Sequence, residues 1–191
     1  MDTGGYDDRG SVQVHVQHQV SRALRDANVV VFMLDGKEGV TASDERMASW
    51  LRKELGKIEK SFPSQFKREV IIVANKSEGA HLSDRVLEAL AESTRLGFGE
   101  PIFISASHGE GMVDLCQKFM QCAQERGMEL SAPPLQHTSA NKPIQVAIMG
   151  RPNVGKSALL NSILKDNRVI SGILLNPVKI LYMVLVGAKF C

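Results

Sequence analysis

The sequence predicts an α/β fold in which a mostly parallel β-sheet is flanked by helices. Three apolar runs carry this prediction, because each ends in a polar turn and segments with helical periodicity separate them. They are residues 29–35, 69–75 and 101–105. A fourth run, at 144–149, precedes a glycine-rich turn, so the alternation of strand and helix continues through most of the chain.

The segments between the predicted strands carry apolar residues at helical spacing. Thr41 or Ser43 is expected to cap the helix that follows the first strand, and that helix to end at about Lys57, before a loop over residues 61–68. Together the expected helices cover residues 12–26, 41–57, 82–96 and 111–125, with a further helix that begins near Lys156.

Composition indicates an ordinary soluble globular protein of 191 residues, with 43% hydrophobic and 23% charged residues. The net charge of +2 is too small to indicate nucleic acid by itself, and the three cysteines lack the spacing of a metal site. The apolar run at 180–186 is far shorter than the roughly 20 residues of a membrane span. We therefore expect no membrane span, and we expect this run to pack as a strand or to stay exposed.

The segment from Gly150 to Ser157 fits the phosphate-binding loop pattern G-x-x-x-x-G-K-[ST]. It lies between a predicted strand and a predicted helix, where backbone N–H groups converge on an anion. We expect Lys156 to reach the β- and γ-phosphates of a nucleotide and Ser157 to ligate Mg²⁺. The predicted phosphate-binding residues of this loop are Gly150, Asn153, Val154, Gly155, Lys156 and Ser157.

Asp2 and Gly5 fit a second phosphate motif, D-x-x-G, although four residues of this kind are weak support on their own. In phosphoryl-transfer sites the aspartate acts on Mg²⁺ through water. The glycine offers its N–H to the γ-phosphate, so we assign Asp2 to Mg²⁺ and Gly5 to phosphate.

Two further motifs indicate a guanine base. Asn75, Lys76 and Glu78 follow a predicted buried strand and match N-K-x-D, with glutamate in place of the aspartate that accepts from the base. Ser105 and Ala106 follow the next strand, where a backbone N–H can meet the guanine carbonyl oxygen. Because ligands bind at the carboxyl ends of strands in open α/β sheets, the order and placement of these residues predict a guanine site.

With these motifs in one chain, the sequence resembles the Der (EngA) family of tandem GTPases over about 170 residues. Outside the nucleotide motifs the resemblance rests on residues 35–41, 44–45, 50–53 and 168–170. It implies a P-loop NTPase-like fold of the Ras/Era-like kind. It also implies three parts: the C-terminal part of a first GTPase domain (1–126), a linker (127–143) and the start of a second domain (144–191).

The resemblance further implies GTP or GDP and Mg²⁺ as ligands, with Asn153 as a ligand for K⁺. It implies a role on the large ribosomal subunit or its precursor during assembly. The compartment stays open: the cytoplasm or, if the parent is eukaryotic, the matrix of plastids or mitochondria.

Relative to the family, the motif set of each domain is incomplete. No phosphate loop precedes Asp2, and no D-x-x-G or N-K-x-D follows Ser157. We therefore expect a product that lacks both ends of its parent, with an incomplete fold and weak or absent GTP hydrolysis.

Two alternatives remain: an ATPase, which residues 75–78 disfavour, and a fragment that binds ribosomal RNA or protein without nucleotide. The basic residues for the latter are Arg46, Arg52, Lys53, Lys57, Lys60, Lys67 and Arg68.

Two arrangements of the strand at 144–149 are open. The family's sheet places its first strand beside the strand that here is 29–35, so 144–149 could take that position and bring the phosphate loop with it. A linker of 17 residues, which extends roughly 55 Å, allows this. The first-domain surface meets a different partner in the family, however, so we expect an incomplete first domain and a loose segment after the linker.

Overall fold

The computed structural model describes residues 21–63, 67–78, 91–126, 144–165 and 178–181. In these ranges one sheet has the strand order β3-β2-β1-β4-β5, and every pairing is parallel. The strands are β1 (Val29–Asp35), β2 (Glu69–Asn75), β3 (Ile102–Phe103), β4 (Ile144–Gly150) and β5 (Val178–Leu181). The main helices are α1 (Ala42–Ser61), α2 (Met112–Gln124) and α3 (Lys156–Lys165). The predicted α/β fold with a mostly parallel sheet is confirmed.

Strand β4 lies directly beside β1, in a parallel register that runs from Val29 opposite Val146 to Met33 opposite Gly150. At its start, Asn28 Oδ1 accepts a hydrogen bond from the main-chain N–H of Gln145 at 2.8 Å. The expectation of a loose segment after the linker is therefore wrong. The physical reason is that β4 is apolar on both faces. In the position beside β1 both of these faces are buried, and the main-chain groups along the edge of β1 gain hydrogen-bond partners.

The two faces of the sheet form two hydrophobic clusters, because successive strand side chains point to opposite faces. One cluster lies under α1 and includes Phe32 and Met149, both fully buried. The other lies under α2 and α3 and includes Met33, Ile148 and Leu159. Side chains of β4 thus complete both clusters, which ties this strand to the rest of the core.

Helix α1 begins with a capping box, in which Thr41 and Asp44 exchange hydrogen bonds between side chain and backbone. It runs to Ser61 instead of ending near Lys57, because Ile58 continues the buried stripe. Phe62 is the C-cap and leaves the helical region, since the residue before Pro63 is sterically restricted from it.

The third strand is shorter than the predicted 101–105. After β3, Ile104 still donates to Ala74 O of β2 at 2.9 Å, whereas the main-chain N–H of Ser105 donates to Glu110 O at 3.0 Å. Of the helix expected at 12–26, residues 21–26 are helical, and of that expected at 82–96, residues 91–94 are helical. The remaining parts of those two predictions lie largely outside the described residues. Strand β5 falls partly within the expected apolar run at 180–186.

Candidate nucleotide-binding site

The predicted phosphate loop links β4 to α3 at the carboxyl edge of the sheet. Two of its residues, Asn153 (φ 64°) and Gly155 (φ 98°), adopt left-handed backbone conformations. A Cβ on Gly150 would lie 2.5 Å from Met33 O, and one on Gly155 would overlap the side-chain amide of Asn75. Because α3 begins at Lys156, its first-turn N–H groups have no partner within the helix and are available to an anion.

Lys156 is 7% exposed and folds back over its own loop. Its Nζ donates to Gly150 O at 2.9 Å and to Arg151 O at 2.5 Å. Burial lowers the pKa of this ammonium group, because the low-dielectric surroundings disfavour the charged form. A phosphate anion near this ammonium would replace these two neutral acceptors with a charged one.

Asn75, the last residue of β2, connects the phosphate loop to the loop that follows β3. Its Nδ2 donates to Val154 O at 2.8 Å, and its Oδ1 accepts from the main-chain N–H of Ala106 at 2.9 Å. The residue is only 3% exposed, so both hydrogen bonds are shielded from water. One side chain thereby fixes the distance between the predicted phosphate and guanine contacts.

Lys76 follows Asn75 in a left-handed conformation (φ 66°), and its Nζ donates to Asp35 Oδ2 at 2.5 Å. Asp35 also accepts from the main-chain N–H groups of Lys37 and Glu38. Burial by itself would raise the pKa of Asp35, but hydrogen bonds from Lys76 and from these N–H groups outweigh it, and the pKa is lowered. The ends of β1 and β2 are thus held together at the predicted base-binding edge.

The loop after β3 is held by a small hydroxyl–imidazole cluster. His108 Nδ1 lies 2.8 Å from Ser105 Oγ and 3.1 Å from Ser107 Oγ. Ser105 is fully buried, and Ala106, the next residue, is the one that donates to Asn75. The cluster fixes the backbone that the sequence predicts to meet the base.

Glu78, the departure from the N-K-x-D pattern, forms an ion pair with Lys37 at 3.2 Å. Its own backbone N–H is the main cause that lowers the pKa of this carboxyl, and Lys37 adds to the effect. The carboxylate is therefore ionised at neutral pH, as a guanine acceptor needs to be.

Sequence reasoning missed an ion pair that joins the phosphate loop to α1. Arg151 Nε donates to both oxygens of Asp44, at 2.9 and 3.0 Å, and its Nη1 lies 3.0 Å from Glu38 Oε2. Burial alone would lower the pKa of Arg151, but its bonds to these two carboxylates raise it. The capping box at residues 41–44 predicts where Asp44 lies, but nothing local in the sequence predicts its partner 107 positions away.

The structure brings together the loop residues, Asn75 and Ala106, whereas Lys76 and Glu78 are engaged with neighbouring charges at the same edge. Ser157 is exposed in the first turn of α3. Asp2 and Gly5 lie outside the described residues.

Among the residues that the structure does describe, no helix is long and apolar enough to cross a membrane.

Comparisons with known proteins agree with the motifs. The profile of a family described as "50S ribosome-binding GTPase" matches residues 145–174. The chain is 34% identical over 173 residues to GTPase Der of Nitrobacter winogradskyi, covering 90% of this chain and 34% of the relative. GTPase Der of Prochlorococcus marinus is 39% identical over 172 residues, which cover 89% of this chain and 33% of the relative. The chain spans about a third of the length of these relatives.

Proposed function

Because the chain belongs to the Der family of GTPases, we propose that it binds one guanine nucleotide in a composite site. The site combines the phosphate loop after β4 with the carboxyl ends of β2 and β3. The observation that carries the proposal is the position of Asn75, which hydrogen-bonds both Val154 in the phosphate loop and Ala106 after β3. Residues that sequence analysis assigns to two different domains thereby contribute to one edge of one sheet.

The phosphates would bind at the loop, to backbone N–H groups of residues 153–157 and to Lys156. The base would lie between the Lys76 side chain and the loop at residues 105–106, with Glu78 as the acceptor for its N–H groups. Both the Nδ2 and the Oδ1 of Asn75 bond to protein groups, so its main role is to hold the phosphate and base subsites at a fixed spacing.

Mg²⁺ fits the donor set at the start of α3, because Ser157 offers an exposed hydroxyl next to the predicted β-phosphate position. When bound, the ion would neutralise charge on the β- and γ-phosphates. Asp2 remains the second candidate for this ion. The family resemblance makes Asn153, whose side chain is exposed, a candidate ligand for K⁺.

Hydrolysis is proposed to be slow or absent. In Ras-like GTPases a glutamine after the D-x-x-G motif orients the attacking water, whereas here Tyr6 follows Gly5. We propose the 50S ribosomal subunit or its precursor as the partner, because the matching family is described as ribosome-binding. GTP-dependent co-sedimentation of the chain with 50S particles tests this partner.

Titration of fluorescent GDP with Mg²⁺ and K⁺, competed by unlabelled GDP or ADP, tests nucleotide binding and base choice. We expect saturable binding, competition by GDP and at least about a hundredfold weaker competition by ADP, since a polar site rejects a base with the wrong hydrogen-bonding edge. Lys156→Ala should abolish binding, and the exposed Lys57→Ala on α1 serves as its matched control. Absence of saturable binding would refute the proposal, and equal competition by ADP would refute the guanine assignment.

The alternative of nucleotide-independent RNA binding has less support. Arg68, one of the basic residues proposed for it, is buried and donates to Leu24 O at 2.7 Å and to Arg25 O at 2.6 Å. Lys57 forms an ion pair with Glu54. Arg68 is therefore not part of an exposed basic surface, whereas the other six basic residues of 46–68 are exposed.

A further inference from the structure

Asp44 is a fully buried carboxylate that accepts hydrogen bonds from two parts of the chain. Thr41 donates to it from its main-chain N–H at 3.0 Å and from its hydroxyl at 2.7 Å. Arg151 Nε reaches both carboxylate oxygens. Burying a carboxylate without a cation raises the free energy of the folded protein. Electrostatic attraction to Asp44 therefore holds the guanidinium of Arg151 at this position.

Arg151 is the second residue of the phosphate loop, and its carbonyl accepts from Lys156 Nζ. Three residues further along, the carbonyl of Val154 accepts a hydrogen bond from Asn75. The loop is therefore fixed on both sides of Pro152 and Asn153. Between them, Asn153 adopts a left-handed conformation (φ 64°), which asparagine tolerates better than most non-glycine residues.

We propose that Asp44 is a positioning residue of the nucleotide site, which acts through Arg151 to hold the phosphate loop in the shape that receives a β-phosphate. The inference rests on the proposed function and adds to it a residue of α1 that no nucleotide motif contains. Glu38 contacts the same guanidinium, but its side chain is 60% exposed, so water screens that ion pair and its influence on the loop is small.

The test compares binding of GDP and GMP, because GMP lacks the β-phosphate that the loop would hold. Asp44→Asn keeps an acceptor for Thr41 but removes the charge that holds Arg151. It is expected to weaken GDP about tenfold and GMP by less than about twofold, a difference on the scale of one charge-assisted hydrogen bond. Parallel weakening of both ligands, or unchanged GDP affinity in a folded variant, would overturn the proposal.

Two control variants separate positioning from general stability. Leu55→Ala truncates a buried side chain of the same helix, eleven residues after Asp44, and Glu38→Gln removes the exposed partner of Arg151. Both should leave the ratio of GDP to GMP affinity unchanged, although Leu55→Ala lowers the Tm. If Leu55→Ala lowered that ratio as much as Asp44→Asn does, the effect would belong to helix stability and the proposal would fail.

The role of Asp44 can be tested even if the single variant does not fold or the unaltered chain binds no nucleotide. The double variant Asp44→Asn/Arg151→Gln leaves no lone buried charge, and it should show the same selective loss of GDP if the single variant does not fold. If the unaltered chain bound no nucleotide, the proposed function would fail. The inference would then be tested by amide hydrogen exchange: Asp44→Asn should speed exchange in 150–157 about tenfold, relative to 105–107. Unchanged relative exchange would overturn it.

Discussion

The side-chain amide of Asn75 donates a hydrogen bond to the main-chain carbonyl of Val154 at 2.8 Å, across 79 positions of sequence. Asn75 ends β2, and Val154 lies in the loop that follows β4, two strands away in the sheet. The bond can form only because β4 occupies the position beside β1. This one hydrogen bond therefore links the position of β4 in the sheet to the geometry of the candidate site.

Asn75→Ala should abolish high-affinity GDP binding and destabilise the fold. It leaves Val154 O and the N–H of Ala106 without their partner, and each unsatisfied buried group costs about 1–3 kcal/mol. The matched control is Asn28→Ala, which also removes an asparagine that holds β4, but at the start of the strand. Urea unfolding should show a loss for both variants, whereas GDP titration should show a loss for Asn75→Ala only. Equal effects on GDP affinity would contradict the assignment.

Gly155→Ala should disrupt the phosphate loop by overlap as well as by backbone strain. Its Cβ would overlap the Asn75 amide, and its φ of 98° disfavours a side chain. Gly99→Ala is a control for strain alone, because Gly99 has a φ of 92° and nothing lies within 4 Å of an added Cβ. Gly99→Ala should cost about 1–3 kcal/mol in unfolding experiments and keep GDP affinity. Gly155→Ala should cost more and lose GDP binding, and similar results for both variants would refute the steric argument.

The Asp35–Lys76 ion pair should make stability sensitive to acid. The pKa of the Asp35 carboxyl is lowered from its ordinary value of 3.8. The stabilisation from the ion pair is therefore fully present above pH 3.8 and is lost as the pH falls through the lowered pKa. At neutral pH, Asp35→Asn should cost about 2 kcal/mol in urea unfolding, since it removes a charge-assisted hydrogen bond at a buried carboxylate. The difference between this variant and the unaltered chain should shrink below about pH 4. A difference that stays constant down to about pH 2 would contradict this ion-pair account.

Cys122 should resist alkylation in the folded protein. Burial, and a hydrogen bond to Glu69 Oε2 at 3.1 Å, raise the pKa of its thiol to about 12. At pH 8 only about one thiol in 10⁴ would be ionised, and the thiolate is the reactive form. Mass spectrometry after iodoacetamide treatment should find Cys122 unmodified in native protein and modified in denaturant. Rapid native modification would show that α2 does not pack against β2 in this way.

Sequence patterns predicted β1, β2 and β4 well, because each is a continuous apolar run whose two faces are both buried. The phosphate loop was predictable from its motif. The motif requires Gly150 and Gly155, and an added Cβ has no room at either position. The position of β4 beside β1 was one of two arrangements that sequence reasoning left open, because pairing depends on which edge is free after the rest of the chain has folded.

Contacts between distant residues were equally hidden from the sequence. Arg151 is a motif position whose side chain the phosphate-loop pattern leaves free, and its partner Asp44 looks like an ordinary capping residue. After β3, Ser105 bonds Glu110, while its neighbours Ile104 and Ala106 bond Ala74 and the Asn75 side chain. In each case the outcome is set by tertiary partners that local periodicity does not encode.

The most direct test of a single composite site within one chain is a complementation experiment with two variants. Lys156→Ala removes the phosphate-loop lysine, and Asn75→Ala removes the residue that joins the loop to the base edge. We predict one GDP per unaltered chain, none for either variant and none for their mixture. A variant that kept binding would show that the two segments act separately, and a mixture that regained binding would show that β4 and its loop are supplied by a second chain.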